Sequence, residues 1–253
     1  MATRWKKNWY AVHRWLGLIV SLQLLAWSVG GFTFSVLDIE NVRGELDRNP
    51  RDLPALRLDR VRLTATEAAS AAAAAGVDSG SVREIRLRER FARTVFEFFD
   101  GSGQPLGAVD ASSGEFMARV SEEEAKAAAM ADFTHRSPVV AITLLEGQPP
   151  SEFRGGPMPV YRVILDHPKN PHLYISPITG DVLKRRNRVW RLFDFFWMLH
   201  TMDYRNRDDF NHWLLTAMSL LAILTSASGL ALWSWRLPRR WWRRLLGKPK
   251  SIA

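Results

Sequence analysis

The sequence predicts an α+β domain inserted between two transmembrane α-helices. Residues 15–37 and 213–235 form two runs of 23 residues without a charged side chain. The intervening region carries a pattern of one helix followed by four short strands, and this pattern occurs twice. A helix laid on one face of an antiparallel sheet is the usual arrangement for such a pattern, because each element then buries its apolar face.

Both uncharged runs have the length of a membrane-spanning helix. A helix of 23 residues covers about 35 Å, which exceeds a hydrocarbon core of about 30 Å. Trp15, Trp213 and Trp235 stand at the ends of the runs, where aromatic side chains favour the membrane interface. A fully buried helix of a soluble protein is the alternative for either run. The presence of two such runs in one chain makes this alternative weaker. The first run is too long for a signal peptide, and Val36-Leu37-Asp38 is a poor cleavage site.

The distribution of charge predicts the orientation. Residues 1–14 and 236–253 carry eleven basic and no acidic residues, whereas 38–212 has a net charge of −2. The positive-inside rule therefore places both ends in the cytoplasm and the central domain in the periplasm of a bacterial inner membrane. We expect the basic ends to contact anionic lipid headgroups rather than nucleic acid. The expected segments are a cytoplasmic stretch (1–14), helix one (15–37), a periplasmic domain (38–188), an interfacial helix and elbow (189–211), helix two (213–235) and a basic cytoplasmic tail (236–253).

The first copy of the repeat spans about residues 64–118. Thr64–Ala75 has helix composition with a threonine cap and Gly76 at its end. Alternating segments at 82–90 and 94–99 predict antiparallel strands, and Ile85, Leu87, Val95, Phe96 and Phe98 are available to a core. A strand, a tight turn and another strand follow at 108–116. We also expect a short strand at 56–63, ahead of the repeat.

The second copy spans about residues 121–185. Ser121 and Glu124 predict a capping box at the start of a helix that reaches Asp132. Strands follow at 140–146 and 159–166, and a strand–turn–strand element occupies 172–183. The two copies therefore predict two helix-on-sheet units of the same design.

The closing segments of the two copies resemble the end of PepSY domains. They read Val109-Asp-Ala-Ser-Ser-Gly-Glu-Phe116 and Ile175-Ser-Pro-Ile-Thr-Gly-Asp-Val182. His13-Arg-Trp-Leu-Gly-Leu18, Leu199-His-Thr-Met-Asp-Tyr204 and Phe210-Asn-His-Trp-Leu-Leu215 are similar to membrane motifs of the PepSY-associated transmembrane family. The resemblance covers nearly the whole chain. It implies kinship with inner-membrane proteins of iron uptake and ferric-siderophore reduction, in which histidines of the membrane helices hold b-type haem.

That resemblance makes His13, His200 and His212 candidate haem ligands. His200 and His212 flank a polar elbow on the outer side, so we expect them to ligate one b-type haem there. His13 lies at the other membrane face, so it would need a partner from another subunit, either a homodimer mate or a larger redox complex. Haem-linked electron transfer to a periplasmic ferric chelate is then the expected function. A two-helix chain puts independent reductase activity in doubt.

Two other functions stay open. The chain is either a non-catalytic anchored module that binds a periplasmic partner or redox complex, or, by analogy of fold alone, a restraint on a periplasmic protease. No catalytic residue and no metal ligand is predicted. Arg205 and Arg207 are expected to pair with the elbow aspartates at 203, 208 and 209, and the histidines of loop 167–172 to lie on a surface. The absence of cysteine excludes disulfides, thiolate metal sites and covalent c-type haem.

Overall fold

The computed structural model describes residues 2–50 and 55–236, with side-chain surroundings for 10–50 and 55–234. The chain divides into two compact units. One comprises the described parts of Met1–Val36 and Phe193–Ala253, and the other is Leu37–Leu192. They are the expected membrane part and the expected α+β domain.

The membrane unit contains helix α1 (Ala2–Val36), most of α5 (Arg188–Thr201) and α6 (Trp213–Arg236). Two stretches are long and apolar enough to cross a bilayer, Tyr10–Val36 and Trp213–Ser234. The predicted lead-in 1–14 and the first span form one continuous helix from Ala2 onward. The predicted basic tail lies, beyond Arg236, outside the described residues.

Helices α1 and α6 run antiparallel. His13 hydrogen-bonds Ser228, and a Cβ on Gly17 would lie 3.9 Å from Thr225 Cγ2, so later residues of α1 meet earlier residues of α6. Small residues at these contacts let two backbones approach closely. Membrane helices associate through such close packing, because the surrounding lipid is as apolar as their side chains. The start of α1 and the end of α6 therefore lie at the same end of the pair.

The first repeat consists of helix α3 (Ala65–Ala74) and a four-stranded antiparallel sheet in the order β1-β2-β3-β4. Its strands are β1 (Glu84–Arg90), β2 (Arg93–Phe99), β3 (Pro105–Asp110) and β4 (Phe116–Met117). Thr64 and Glu67 form a capping box. Ala68 and Ala72 of α3 pack on Phe96, Phe98 and Val109, which makes one side of the sheet a core.

The second repeat has the same composition. It consists of helix α4 (Glu122–Asp132) and the strands β5 (Val139–Leu145), β6 (Val160–Leu165), β7 (His172–Ile175) and β8 (Val182–Arg186), in that order across the sheet. The predicted capping box of Ser121 and Glu124 is present. Ala125, Ala128 and Ala129 pack on Val163, Leu165 and Leu173. The predicted α+β fold with two helix-on-sheet units is thus confirmed.

The closing turns of the two repeats are built alike. In the first, Gly114 donates its N–H to Asp110 O (2.9 Å), and in the second Gly180 donates to Ser176 O (2.9 Å). Both glycines adopt positive φ angles, +78° and +73°, which side chains rarely tolerate. Asp110 and Ser176 also accept backbone N–H bonds with their side chains, which explains why aspartate and serine exchange at this position.

The connector before the first repeat differs from the prediction. The expected strand at 56–63 is wrong: Leu58–Arg60 is a 3-10 helix. Arg60 and Val61 donate their N–H groups to Arg57 O and Leu58 O, so local bonds replace a strand ladder. Val61 and Leu63 nevertheless pack against the first core, which is the burial that their alternation indicated. Helix α2 (Ile39–Arg43) precedes the connector, and a second 3-10 helix (Ser151–Phe153) lies between β5 and β6.

Candidate functional site

The C-terminal end of α5 is held by two side chains of α1 and by one that precedes α6. The last carbonyls of a helix have no partner within it and need other donors. Gln23 Nε2 donates to Leu199 O (3.0 Å) and Trp27 Nε1 to His200 O (2.9 Å). His212 Nε2 bonds the next carbonyl, Thr201 O (2.9 Å). Three successive orphan carbonyls are therefore satisfied by α1 and by the residue that precedes α6.

Both ring nitrogens of His212 are engaged in these local bonds. Because a carbonyl only accepts, Nε2 must carry the proton, and Nδ1 then accepts the N–H of Leu215 (3.4 Å) in the first turn of α6. His212 thus joins the end of α5 to the start of α6. This arrangement leaves no lone pair for iron.

His200 lies one residue before the carbonyl that His212 caps, and its ring faces α1. The ring centroid lies 6.1 Å from that of Trp27 and 5.9 Å from that of Phe34. Its Nδ1 is buried and has no hydrogen-bond partner among the described residues. A buried ring nitrogen without a partner is costly, and such an atom is a candidate position for a ligand.

His13 is oriented by a hydrogen bond from α6. Ser228 donates its only hydroxyl proton to Thr225 O (2.8 Å), so Ser228 Oγ accepts from His13 Nδ1 (2.6 Å). The lone pair of the neutral ring is then on Nε2, which faces Gly229. A Cβ on Gly229 would lie 4.0 Å from that nitrogen. Donation from one nitrogen while the other stays basic is typical of histidine ligands.

The three histidines occupy two separate places. His200 and His212 both lie at the C-terminal end of α5, whereas His13 lies fourteen residues of α1 before Trp27, about 21 Å along the helix. Because both axial nitrogens of one haem must face one iron, His13 cannot share a haem with His200 in one chain. The structure offers no axial pair within the described part of a single chain, because His212 uses both nitrogens elsewhere.

The elbow that separates His200 from His212 is organised differently from the prediction. Arg207 pairs with Asp194 of α5 rather than with an elbow aspartate. Asp203 accepts the N–H groups of Arg205, Asn206 and Asp209 at 3.0–3.2 Å. Slight burial opposes ionisation of Asp203, yet these N–H bonds lower its pKa. For Asp203, the expected pair with an arginine is replaced by bonds from backbone N–H groups.

A charged joint connects the two repeats of the α+β domain. Glu97 on β2 is 1% exposed and lies 3.4 Å from Arg90 and 3.5 Å from Arg88. Arg88 makes two 2.9 Å bonds to Asp181, which follows the closing turn of the second repeat. Burial raises the pKa of Glu97 despite the two arginines. The second face of the first sheet is therefore buried against the second repeat.

A second brace surrounds Glu152, in the connection between β5 and β6. Its carboxylate bonds His172 Nδ1 (2.8 Å), Tyr174 Oη (3.2 Å) and Arg191 Nε (2.6 Å). Although partial burial opposes ionisation, His172 and Arg191 lower the pKa of Glu152 to about 2. Burial and the Glu152 charge raise the pKa of Tyr174 to about 12. Both oxygens of this carboxylate accept bonds from other side chains, which makes it a structural group.

An open cleft of about 640 Å³ lies at the end of α4 in the second repeat. Its walls include Met130, Phe133 and Leu165, with His135 and Arg136 at the polar side. Met130 is 51% exposed although apolar. The ring of His135 stacks on that of His167 at a centroid distance of 5.1 Å. An apolar wall with a basic edge is suited to a partner that presents an apolar and an acidic group.

The family model described as PepSY-associated TM region matches residues 11–251. The chain belongs to this family. No curated protein and no solved structure matches the chain significantly. The matched residues of this PepSY protein include nearly all of the first candidate span, both repeats, the elbow and the second candidate span.

The structure also tests whether the residues of this PepSY protein fit a b-type haem. His13 fits in part, because its Nδ1 is a donor and its Nε2 is basic. His200 has one buried ring nitrogen without a described partner, whereas His212 does not fit, since a protein carbonyl and an N–H occupy its nitrogens. Within the described ranges no group of three or more His, Asp or Glu is arranged to hold a metal ion. His167 and His172 of the 167–172 loop diverge, toward His135 and Glu152.

Sequence reasoning missed the side chains that cap α5. Gln23 is the only amide in the first uncharged run, and Trp27 follows it by one helical turn, so the two side chains share one face of α1. An isolated amide in a membrane span calls for a polar partner inside the protein. That signal predicts a partner for Gln23, although it does not identify Leu199 O.

Proposed function

We propose that this PepSY protein is a non-catalytic, membrane-anchored module that binds a partner outside the bilayer. The observation that carries the proposal is the open cleft at the end of α4, with exposed Met130 beside exposed Arg136. The charged clusters around Glu97 and Glu152, by contrast, are internal braces whose groups already bind one another. An apolar surface with a polar edge is the usual composition of a protein–protein contact.

The proposal includes a location and a class of partner. The module is placed in a bacterial inner membrane with both ends cytoplasmic and residues 38–188 periplasmic. The distribution of basic residues at the two ends supports this orientation. The partner is a periplasmic protein or the periplasmic part of a larger membrane complex, and its contact presents an apolar side chain with a nearby carboxylate.

Photo-crosslinking from the cleft tests this function. A photoreactive phenylalanine analogue replaces Met130 in one version of the full-length chain and Ser102, in the exposed turn between β2 and β3, in the control. Illumination of intact cells should give a discrete adduct of higher mass from position 130 and none from 102. Equal labelling at both positions, or no adduct at position 130, would contradict a binding role for the cleft.

Haem-linked electron transfer in iron uptake is the second candidate function. The observation that favours it is His13, whose bond to Ser228 leaves a basic Nε2 as in histidine ligands. A haem there would supply one-electron chemistry, with a ferric chelate as the acceptor outside the membrane. The second axial ligand would come from another subunit, either a homodimer mate or a larger redox complex.

A pyridine haemochrome assay separates the two functions. The chain is purified in mild detergent from haem-replete cells, and oxidised and dithionite-reduced spectra are recorded. Stoichiometric b-type haem that is lost in His13→Ala would establish the second candidate and remove the non-catalytic assignment. A folded, colourless protein would exclude a haem carrier while leaving the cleft experiment to decide the first.

A further inference from the structure

Strand β5 is an edge of the second sheet, and its sequence differs from those of the other edges. The two described sheets have four edge strands, β1, β4, β5 and β8. β1 carries five charged residues in seven, β8 carries Lys184, Arg185 and Arg186, and β4 has two residues. β5 reads Val-Val-Ala-Ile-Thr-Leu-Leu and has no charge and no proline.

An edge of this kind is normally protected. Unpaired N–H and C=O groups of an edge strand form a template for another strand, and proteins block it with charges, proline, brevity or a bulge. β5 has one irregularity, between Val139 and Ala141, which leaves Ala141–Leu145 regular. No described segment pairs with the outer edge of these five residues, and Thr143 is exposed there. The irregularity therefore protects only the N-terminal end of β5.

We infer that β5 pairs with β5 of a second copy of this chain, antiparallel about Thr143, and joins the two second-repeat sheets into one. This register places Thr143 opposite Thr143, Ile142 opposite Leu144 and Ala141 opposite Leu145. All are favourable or neutral cross-strand pairs, and the pairing is isologous, so it closes at a dimer. Side chains opposite one another share a face, so Ile142 and Leu144 extend the apolar side that already covers Val163 and Tyr161.

Charge favours self-pairing of two copies at β5 over self-pairing at β8. An antiparallel pairing of β8 with itself about Lys184 would place two lysines opposite each other, with four arginines nearby, and like charges opposite one another destabilise a ladder. β5 has no such penalty. Two spans per chain also confine all copies to one bilayer, which raises their effective concentration. A five-residue ladder is small, so the pairing is expected in the membrane rather than between dilute soluble domains.

Cysteine crosslinking in native membranes tests the pairing, because the full chain has no cysteine of its own. Thr143→Cys places the thiol on the two-fold axis, and Glu84→Cys places one on the exposed start of β1 as a matched control. Mild oxidation before solubilisation should give disulfide-linked dimers with Thr143→Cys and only background with Glu84→Cys. Equal yields from the two positions, or none from Thr143→Cys, would overturn the inference.

A charge variant provides the second arm. Two differently tagged copies are co-expressed and recovered together in mild detergent. Thr143→Lys should lower their co-recovery by roughly fivefold, since lysines then face each other across the axis. Glu84→Lys changes the charge more, at the β1 edge, and should leave co-recovery unchanged. Undiminished co-recovery with Thr143→Lys would overturn the β5 contact, and neither arm depends on haem or on the cleft.

Discussion

Glu152 shows how one carboxylate can join three elements. It belongs to the 3-10 helix Ser151–Phe153 and bonds β7 and the start of α5, and its side chain is 20% exposed. With a pKa of about 2 in the folded chain against an ordinary value of 4.5, its ionised form stabilises the fold fully above about pH 4.5. That stability, on the order of 3 kcal/mol, is lost as the pH falls from about 4.5 toward 2.

Glu152→Gln should therefore lower the thermal midpoint at pH 7 and weaken its dependence on pH between about 4.5 and 2. The amide keeps the shape but not the charge that Arg191 and His172 face. Tryptophan fluorescence of the purified full chain, followed during heating at several pH values, measures both effects. Glu84→Gln is the control, because its pair with Arg86 is exposed and such pairs contribute little. Coincident pH profiles for wild type and Glu152→Gln would refute the brace.

His212 bonds the last carbonyl of α5 in the described structure. Replacement by alanine leaves the carbonyl of fully buried Thr201 without its donor, which should cost about 1–3 kcal/mol. His212→Gln retains an N–H donor and should restore part of the loss. Thermal unfolding in detergent measures the series. A haem ligand would show the opposite pattern, with equal loss of the Soret band in both variants and no rescue by glutamine.

Sequence could identify these residues but not their partners. The resemblance of the membrane motifs selected His13, His200 and His212, and the structure brings two of them to one place. Whether a histidine caps a carbonyl or holds iron depends on where Thr201 O lies, and that is set by tertiary packing. The burial of Glu97 could not be predicted from the sequence for a related reason. Alternation in Arg93–Phe99 indicates one apolar face, yet the second repeat covers the other face too.

At the scale of elements, the two repeats offer an internal comparison. Gly114 and Gly180 occupy equivalent turn positions with φ angles of +78° and +73°. An added Cβ on Gly114 would lie 3.5 Å from Leu63 Cδ1, an ordinary contact, whereas on Gly180 it would lie 2.8 Å from the ring of Phe91. Phe91 belongs to the β1–β2 turn of the first repeat, so the second glycine serves the turn and the joint together.

Gly180→Ala should consequently destabilise the chain more than Gly114→Ala. In both variants an alanine must adopt a left-handed conformation, which costs about 1 kcal/mol, and only Gly180→Ala also displaces Phe91. We expect a difference in unfolding free energy of about 1–2 kcal/mol, measured by urea titration of the two variants in parallel. Equal destabilisation would mean that Phe91 moves aside without a cost in free energy. Phe91→Ala combined with Gly180→Ala should reduce the difference, because the clash is then absent.

The elements themselves were largely predictable because their signals are local. The capping box of Ser121 and Glu124 and the two turn motifs each act within six residues, and the structure confirms them. The alternating segment at 56–63 failed because a strand requires a neighbour, and local bonds at Leu58–Arg60 were available instead. Ile85 was placed in the core but is 37% exposed, since β1 is an edge strand and lacks cover on one side.

At the scale of the whole molecule, the two candidate spans and their basic flanking segments predict an orientation in the membrane. This orientation can be tested directly. The chain has no cysteine, so a single introduced thiol reports its own side of the membrane. Ser102, exposed in the turn between β2 and β3, is a suitable position in the central domain, and Ser251 is suitable in the basic tail. The asymmetry of basic residues predicts that these two thiols lie on opposite sides of the inner membrane.

Ser102→Cys should react with a membrane-impermeant maleimide once the outer membrane is opened and the inner membrane is intact. Ser251→Cys should react only after detergent disrupts the inner membrane. The physical reason is the cost of carrying eleven basic side chains across the bilayer, from which we expect both ends to stay on the cytoplasmic side. If Ser251→Cys were labelled first, the orientation would be inverted. The cleft and strand β5 would then face the cytoplasm, and their partners would have to be sought there.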